Sequence, residues 1–327
     1  MKIATPLICS LIAARALLEA QAPPLDAAER RRVIEGAIAN LKRYYDRPDV
    51  GLKVAVALAA HESSGDYDAE KDGQAFADLL TGHMRDVSHD GQLVMRYSAV
   101  PTADVPPRPP TPSPASREGY RKALEENRCY FEKVEMLAHN IGYFKLNAFP
   151  DPISCRAQAE AAMASLNGAD AIIFDLRDNA GGYPKMVALL ASYLFDRPTH
   201  LNDMYDRADD STEESWTSPP VAGNKLADKP AYVLTSSTTF SGAEEFSYDL
   251  KMLKRATIVG EATSGRGHIP FGRRIDEHFA IRVPDRRSIN PISKTDWDGP
   301  GVIPDVKAFA ADALATAVKL AEHQRSK

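Results

Sequence analysis

Apolar residues recur at helical spacing through the first hundred positions. Between Leu25 and Tyr45, the residues Val33, Ile34, Ala37, Ile38 and Leu41 fall on one face of a 3.6-residue period, which predicts an amphipathic helix. The pattern continues over Val54 to His61 and breaks at Gly65-Asp66-Tyr67-Asp68, which reads as a turn. Asp72 is placed to cap a further helix, where Phe76, Leu79, Leu80 and Met84 form one stripe. A stripe of that kind is a packing face. Leu93 to Tyr97 reads as a short strand that leaves the bundle.

A different rhythm follows. Pro101 to Pro114 holds seven prolines in fourteen positions and cannot donate a regular ladder of hydrogen bonds, so it reads as an extended linker. Glu118 to Glu135 reads as helical or partly ordered. From Val134 onward, short apolar runs alternate with helical segments. Ile141–Leu146, Ala171–Leu176, Ala231–Thr235, Ala256–Val259 and Phe279–Val283 are predicted strands. Pro152–Leu166, Lys185–Leu194 and Ser241–Leu253 are predicted helices, and Val306–His323 a terminal one. Alternation of this kind predicts a layered α/β domain. The expected organisation is a leader over 1–22, a helical domain over 23–100, a proline-rich linker and helix over 101–133, and the α/β domain over 134–327.

Composition narrows the possible partners. The 327 residues are 44% hydrophobic and 26% charged, enough to bury a sizeable core, and the net charge of −5 offers no basic footprint for nucleic acid. At the N-terminus, Lys2 precedes an apolar run from Ile3 to Ala14, and Ala20-Gln21-Ala22 matches a small-x-small cleavage pattern. The run is too short to span a bilayer. These features predict an exported chain, periplasmic or secreted, with no membrane span. The bulky Ile8 before Cys9 argues against a lipid anchor. Cys129 and Cys155 then remain, and an oxidising compartment would permit them to pair. No cluster of cysteine and histidine has metal-ligand spacing, so no metal site is expected; the chemistry proposed below requires no organic cofactor either.

Candidate chemistry is concentrated in two segments. In Ala231-Tyr-Val-Leu-Thr-Ser-Ser-Thr-Thr-Phe-Ser241-Gly242-Ala243-Glu244, a strand runs through a polar turn into a helix. A serine at that first turn lies near unpaired backbone N–H groups and the positive end of the helix dipole, which can hold the oxyanion formed when an alkoxide attacks a carbonyl. The same residue also reads as an ordinary N-cap, with Glu244 completing a capping box. The second segment, Ile172-Ile-Phe-Asp175-Leu-Arg177-Asp178-Asn179-Ala180-Gly181-Gly182, is a strand ending in a glycine turn. Glycines there let a carbonyl approach backbone donors closely.

These segments together carry a resemblance. Asp175-Leu-Arg-Asp-Asn-Ala-Gly-Gly, Thr239-Phe-Ser241-Gly-Ala-Glu244 and Ile258-Val-Gly-Glu261-Ala-Thr-Ser-Gly-Arg266-Gly resemble, in order, motifs of the tail-specific (C-terminal processing) serine peptidases. Gly65-Asp-Tyr-Asp, Ala75-Phe-Ala, Leu80-Thr81, Asp90-Gly-Gln-Leu93 and Trp297-Asp298-Gly-Pro-Gly301-Val-Ile-Pro304-Asp305 are similar to the branch containing the tricorn core and the interphotoreceptor retinoid-binding protein. The resemblance spans about residues 30 to 325. It implies a crotonase/ClpP-like ββα superhelix preceded by a small helical bundle, without an inserted PDZ domain. It further implies Ser241 as nucleophile and the N–H groups of Gly242 and of Gly181 or Gly182 as oxyanion donors.

Two positions depart from the family pattern. The lysine that serves as base in classical members is replaced by Arg266, and an arginine stays protonated. The histidine of the tricorn-like branch is replaced by Gln92. His89, three positions earlier, and His268, just after the glycine turn, are the remaining candidate bases, with Asp298 placed to orient a histidine. The expected activity is serine-type cleavage of unfolded or C-terminal polypeptide segments through an acyl-enzyme. The alternative is a non-catalytic binder of peptides or apolar ligands. A crotonase-like acyl-CoA enzyme is a third reading, opposed by the helical N-terminal half.

Overall fold

In a computed structural model, residues 24–103, 113–217 and 225–325 are described; the expected leader and most of the proline-rich stretch lie outside them. The helices α1 (Ala27–Tyr44), α2 (Pro48–Ser63) and α3 (Gly73–Ser88) lead into β1 (Val94–Tyr97). There follow α4 (Pro114–Glu126), β2 (Phe131–Leu137), β3 (Ile141–Leu146), α5 (Pro152–Ser165), β4 (Ala171–Asp175) and α6 (Pro184–Ala191). Next come β5 (His200–Asp206), β6 (Ser211–Trp216), β7 (Ala231–Thr235), α7 (Gly242–Met252) and β8 (Thr257–Gly260). The chain closes with β9 (His268–Arg274), β10 (Phe279–Ile289), β11 (Val306–Lys307) and α8 (Ala313–Arg325).

The strands form two sheets. A six-stranded sheet has the order β11-β8-β7-β4-β3-β2, parallel except at the β2–β3 pair. Its central strands are buried on both faces, which explains why their sequences are unbroken apolar runs. Ile172, Phe174 and Val233 pack with Phe246 and Leu250 of α7 on one face; Ile173, Tyr232 and Leu234 pack with Ala313, Ala317 and Ala321 near and along α8 on the other. The second sheet is antiparallel, with β10 at its centre between β1 and β5 on one side and β9 on the other.

The bundle and this second sheet share one core. Asp26 and Asp72 cap α1 and α3 by accepting from Glu29 N–H and Ala75 N–H, each at 2.8 Å. Pro48 opens α2, where its missing N–H has no helical acceptor to lose. Val33, Ile34, Leu58, Phe76 and Leu80 are then buried against Phe279, Ile281 and Val283 of β10. The expected strand at 93–97 is β1, and it leaves the bundle to pair with β10.

Two expectations are corrected. Residues 131–135, within the stretch read as helical or partly ordered, belong to β2: pairing with β3 outweighs the helix-favouring Glu, Lys and Met residues of this strand. The terminal helix begins at Ala313 and not at Val306, because Val306 and Lys307 pair with Val259 and Gly260 of β8. Cys129 and Cys155 form a disulfide, with Cα atoms 5.9 Å apart, which ties the start of β2 to α5.

Candidate active site

β7 delivers the polar turn 236–240 and α7 starts immediately after Ser241. Ser241 has φ +53° and ψ −118°, a backbone state that a residue with a Cβ adopts at a cost of order 1–3 kcal/mol. Strain of this kind persists only where the surroundings impose it. Here Glu244 reaches back to accept from Ser241 N–H at 2.9 Å, and Phe240 N–H is held by the Asn179 carbonyl at 3.0 Å. The carboxylate half of the expected capping box is therefore present.

The glycine turn meets this serine. A Cβ built on Gly181 (φ +86°) would lie 2.7 Å from Ser241 Cβ and from Gly242 N. One built on Gly182 (φ +142°) would lie 1.9 Å from the Phe149 carbonyl oxygen, and one on Gly242 would lie 3.1 Å from Gly182 N. Only glycine fits at 181 and 182. Gly181 N–H is already committed to Asn179 Oδ1 at 2.8 Å. Among the described residues, the N–H groups of Gly182 and Gly242 have no acceptor. Phe240 and Tyr183, each next in sequence to one of these turns, are 41% and 47% exposed.

A buried ion pair fixes the glycine turn at the end of β4. Asp175 is fully buried and accepts from Arg177 Nε at 2.9 Å, from the Arg177 guanidinium again at 2.6 Å, and from Tyr143 OH at 2.6 Å. Burial alone would raise its carboxyl, but the Arg177 and Tyr143 hydrogen bonds hold it below the usual range. Removing one partner strands the other charge. Arg177→Met is therefore expected to cost roughly 3–5 kcal/mol in urea unfolding. An unchanged midpoint would show that the pair does not support this turn.

Glu244 links Ser241 to a second turn. Beyond Ser241 N–H, its carboxylate accepts from Thr263 Oγ1 (2.6 Å), Ser264 Oγ (3.1 Å), Gly265 N–H (2.7 Å) and Arg266 N–H (3.1 Å). Arg266, at the place of the family lysine, thus shares one carboxylate oxygen with Ser241. The next residue, Gly267, donates its N–H to Asp298 Oδ1 at 3.1 Å, and Gln92 Nε2 donates to the same oxygen at 3.3 Å. Asp298 and Gln92, 206 residues apart in sequence, therefore meet at the turn that carries Arg266 and Gly267. Burial raises the Asp298 carboxyl, against the His268 charge and the Gly267 N–H, which lower it.

The two histidines expected as candidate bases stand in different surroundings. His268, 6% exposed at the start of β9, has Nε2 3.1 Å from Asp296 Oδ2 and Nδ1 3.0 Å from Asp46 Oδ2, the latter off the hydrogen-bond axis. Asp298 Oδ2 lies 3.8 Å from the same Nδ1. Burial would lower this imidazole, but Asp296, Asp46 and the Asp298 charge outweigh it and push it up to about 10. At neutral pH it is an imidazolium locked among carboxylates. His89 is the exposed left-handed C-cap of α3, and its N–H closes on the Arg85 carbonyl. Sequence spacing could not show the surroundings of His268, because Asp46 and Asp296 come from distant segments.

The sequence profile of Peptidase family S41 matches residues 140–308, over half of the chain, and that of the N-terminal domain of S41 peptidases in eukaryotic IRBP matches residues 13–127. The chain belongs to peptidase family S41. It is 30% identical over 187 residues to carboxyl-terminal-processing peptidase 2, chloroplastic, of Arabidopsis thaliana, covering 54% of this chain and 34% of that protein. It is 31% identical over 170 residues to a carboxyl-terminal-processing protease of Synechocystis, covering 51% and 37%. The chain thus spans little more than a third of the length of these curated relatives. In fold it is similar to a putative peptidase from Parabacteroides merdae, with a TM-score of 0.62, 17% identity, and coverage of 89% and 96%. No helix among the described residues is long and apolar enough to cross a membrane.

One feature of this S41 chain was not legible as a site. Glu245 and Asp249, one turn apart on α7, are both buried, and Asn290 Nδ2 reaches Asp249 Oδ1 at 3.3 Å. Burial pushes Glu245 up to about 7; burial and then the Glu245 charge push Asp249 well above the usual carboxylate range. Raised carboxyls bind protons in the folded state that the unfolded chain releases. Stability is thus full below the ordinary carboxylate pKa and falls as pH rises through about 7. Urea midpoints are expected to drop between pH 5 and pH 8, and Asp249→Asn to flatten that slope. Parallel curves for the two proteins would refute the assignment.

Proposed function

We propose that this chain is a serine peptidase that cleaves extended polypeptide through an acyl-enzyme at Ser241. The observation that carries the reading is the strained Ser241 backbone set against two unclaimed donors, Gly182 N–H and Gly242 N–H. Ser241 Oγ attacks the scissile carbonyl, its proton leaves, and the carbonyl oxygen becomes an oxyanion held by these two N–H groups. The intermediate collapses, the proton passes to the departing amine, and water releases the acyl group by the same route.

We assign the proton to Asp298. Gly267 N–H and Gln92 hold this carboxylate on the turn that Glu244 ties to Ser241, and burial raises it in the direction a general base needs. A base acts deprotonated, so turnover of a denatured protein should rise with pH through the raised Asp298 value and then level. Asp298→Asn should cost about 10²- to 10⁴-fold in turnover. His268→Gln removes a charge that lowers Asp298, so it should move the rising limb to higher pH.

A second reading, a non-catalytic binder of peptide or apolar ligand, is favoured by one observation: Arg266 and Gln92 stand where the family pattern places a lysine or a histidine. A fluorophosphonate probe separates the two. The peptidase reading expects one adduct per chain at Ser241, lost in Ser241→Ala; an unreactive serine in a chain that still binds peptide leaves the binder. The Cys129–Cys155 disulfide supports export to an oxidising compartment, as the leader-like first 22 residues suggest.

A further inference from the structure

The antiparallel sheet presents a cationic face whose Arg96 and Arg282 make no ion pair among the described residues. In β10, Arg282 is flanked by Val94 of β1 on one side and Gly272 of β9 on the other, while Arg96 of β1 lies opposite Ala280. Residues two apart in a strand share a face, so Arg96 and Arg282 lie together on the side away from the bundle. The other face carries Met95, Phe279, Ile281 and Val283 and is buried against the helices. Gly272, beside Arg282, leaves open space on the arginine face: a Cβ there would meet nothing within 4 Å. Arg266 joins them from the turn whose N–H shares Glu244 Oε2 with Ser241 N–H.

These three arginines differ from their neighbours. Arg273 pairs with Asp285, and Arg286 pairs with Asp206 at 2.7 Å. Among the described residues, Arg96, Arg266 and Arg282 make no ion pair or side-chain hydrogen bond. Burial, then the charges of Arg96 and Arg266, lower the Arg282 guanidinium from its usual range. The carboxylate that opposes this, Asp90, already accepts from Tyr45 OH at 2.8 Å and Gln92 N–H at 2.8 Å, and pairs with Arg47 at 3.5 Å. Three like charges converge on open space, one of them on the turn that Glu244 ties to Ser241. Such an arrangement is relieved by an anion from outside.

We propose that Arg96, Arg266 and Arg282 form a carboxylate-binding face that selects polypeptides carrying an acidic group close to the bond presented to Ser241. The carboxylate belongs either to an Asp or Glu side chain or to the chain terminus; a guanidinium recognises both alike. The proposal deepens the peptidase reading and rests on it for the orientation of the peptide, but the binding it describes needs no turnover.

The test uses the full chain as Ser241→Ala, with four fluorescein-labelled versions of one unstructured peptide. They carry Glu or Gln at one position and a free or an amidated C-terminus. Fluorescence anisotropy is expected to give a Kd about 10- to 100-fold weaker for the peptide lacking both carboxylates. The single-carboxylate peptides identify which source is bound. Added salt should narrow the difference, and Arg282→Gln should erase it. Arg96→Gln and Arg266→Gln, at exposed positions, should each reduce it and guard against a fold defect in the Arg282 variant. Equal affinity for all four peptides, equal weakening of all four by the substitutions, or no binding of any peptide overturns the proposal. Fluorophosphonate labelling of the unsubstituted chain is scored separately: carboxylate discrimination without labelling overturns the peptidase reading alone.

Discussion

Ser241→Ala is expected to lower peptide hydrolysis about 10⁴- to 10⁶-fold, the loss seen when the nucleophile of a serine hydrolase is removed. A residue that were only a helix cap would leave turnover nearly intact. Stability supplies an independent reading. Ser241 sits at φ +53°, where glycine is at ease and a side chain is not. Ser241→Gly is therefore expected to abolish turnover as Ser241→Ala does while matching or exceeding the parent protein in urea, by up to about 1 kcal/mol. Glycine keeps the N–H that donates to Glu244. An inactive protein that is more stable than its parent would mark the serine as a residue retained for chemistry at the expense of the fold. Should Ser241→Ala retain turnover within a few-fold, the acyl-enzyme mechanism is wrong.

Glu244→Gln is expected to be less damaging to the site and far more damaging to stability. Both oxygens of this buried carboxylate are in use: Oε1 accepts from Thr263 Oγ1 and Gly265 N–H, and Oε2 from Ser241 N–H, Ser264 Oγ and Arg266 N–H. A glutamine must place an NH₂ where one of these oxygens was, donor against donor. At least two hydrogen bonds fail, and buried donors left unsatisfied cost about 1–3 kcal/mol each. A loss of about 2–5 kcal/mol in urea follows. Because the same residue joins Ser241 to the turn bearing Arg266 and Gly267, fluorophosphonate labelling should slow by about 10²-fold or more through misplacement of the hydroxyl. Labelling at the parent rate would remove Glu244 from its positioning role.

The sequence by itself determined the central layer and the two candidate turns. Ile141–Leu146 and Ala231–Thr235 were legible because strands buried on both faces must be apolar throughout. Asp72 was legible as a cap because a carboxylate before a helical stripe has one low-energy use. The Gly181-Gly182 and Ser241-Gly242 segments stood out because a strand entering a glycine turn or a helix start exposes N–H groups wherever the strand lies in space. Edge strands such as β6, with Ser211-Thr-Glu-Glu-Ser-Trp216 almost entirely exposed, carry no comparable signal.

Protonation and partnership were decided by the tertiary structure alone. His268 became an imidazolium because Asp46, from the link between two N-terminal helices, and Asp296, from a late loop, meet it from opposite sides. Gln92 and Asp298 meet across most of the chain, and Arg282 lost its partner because its neighbours across the sheet are valine and glycine. Local pattern reports what a residue does to its own backbone. Charge state depends on burial and on through-space neighbours within a few ångströms, and those are set only when distant segments pack.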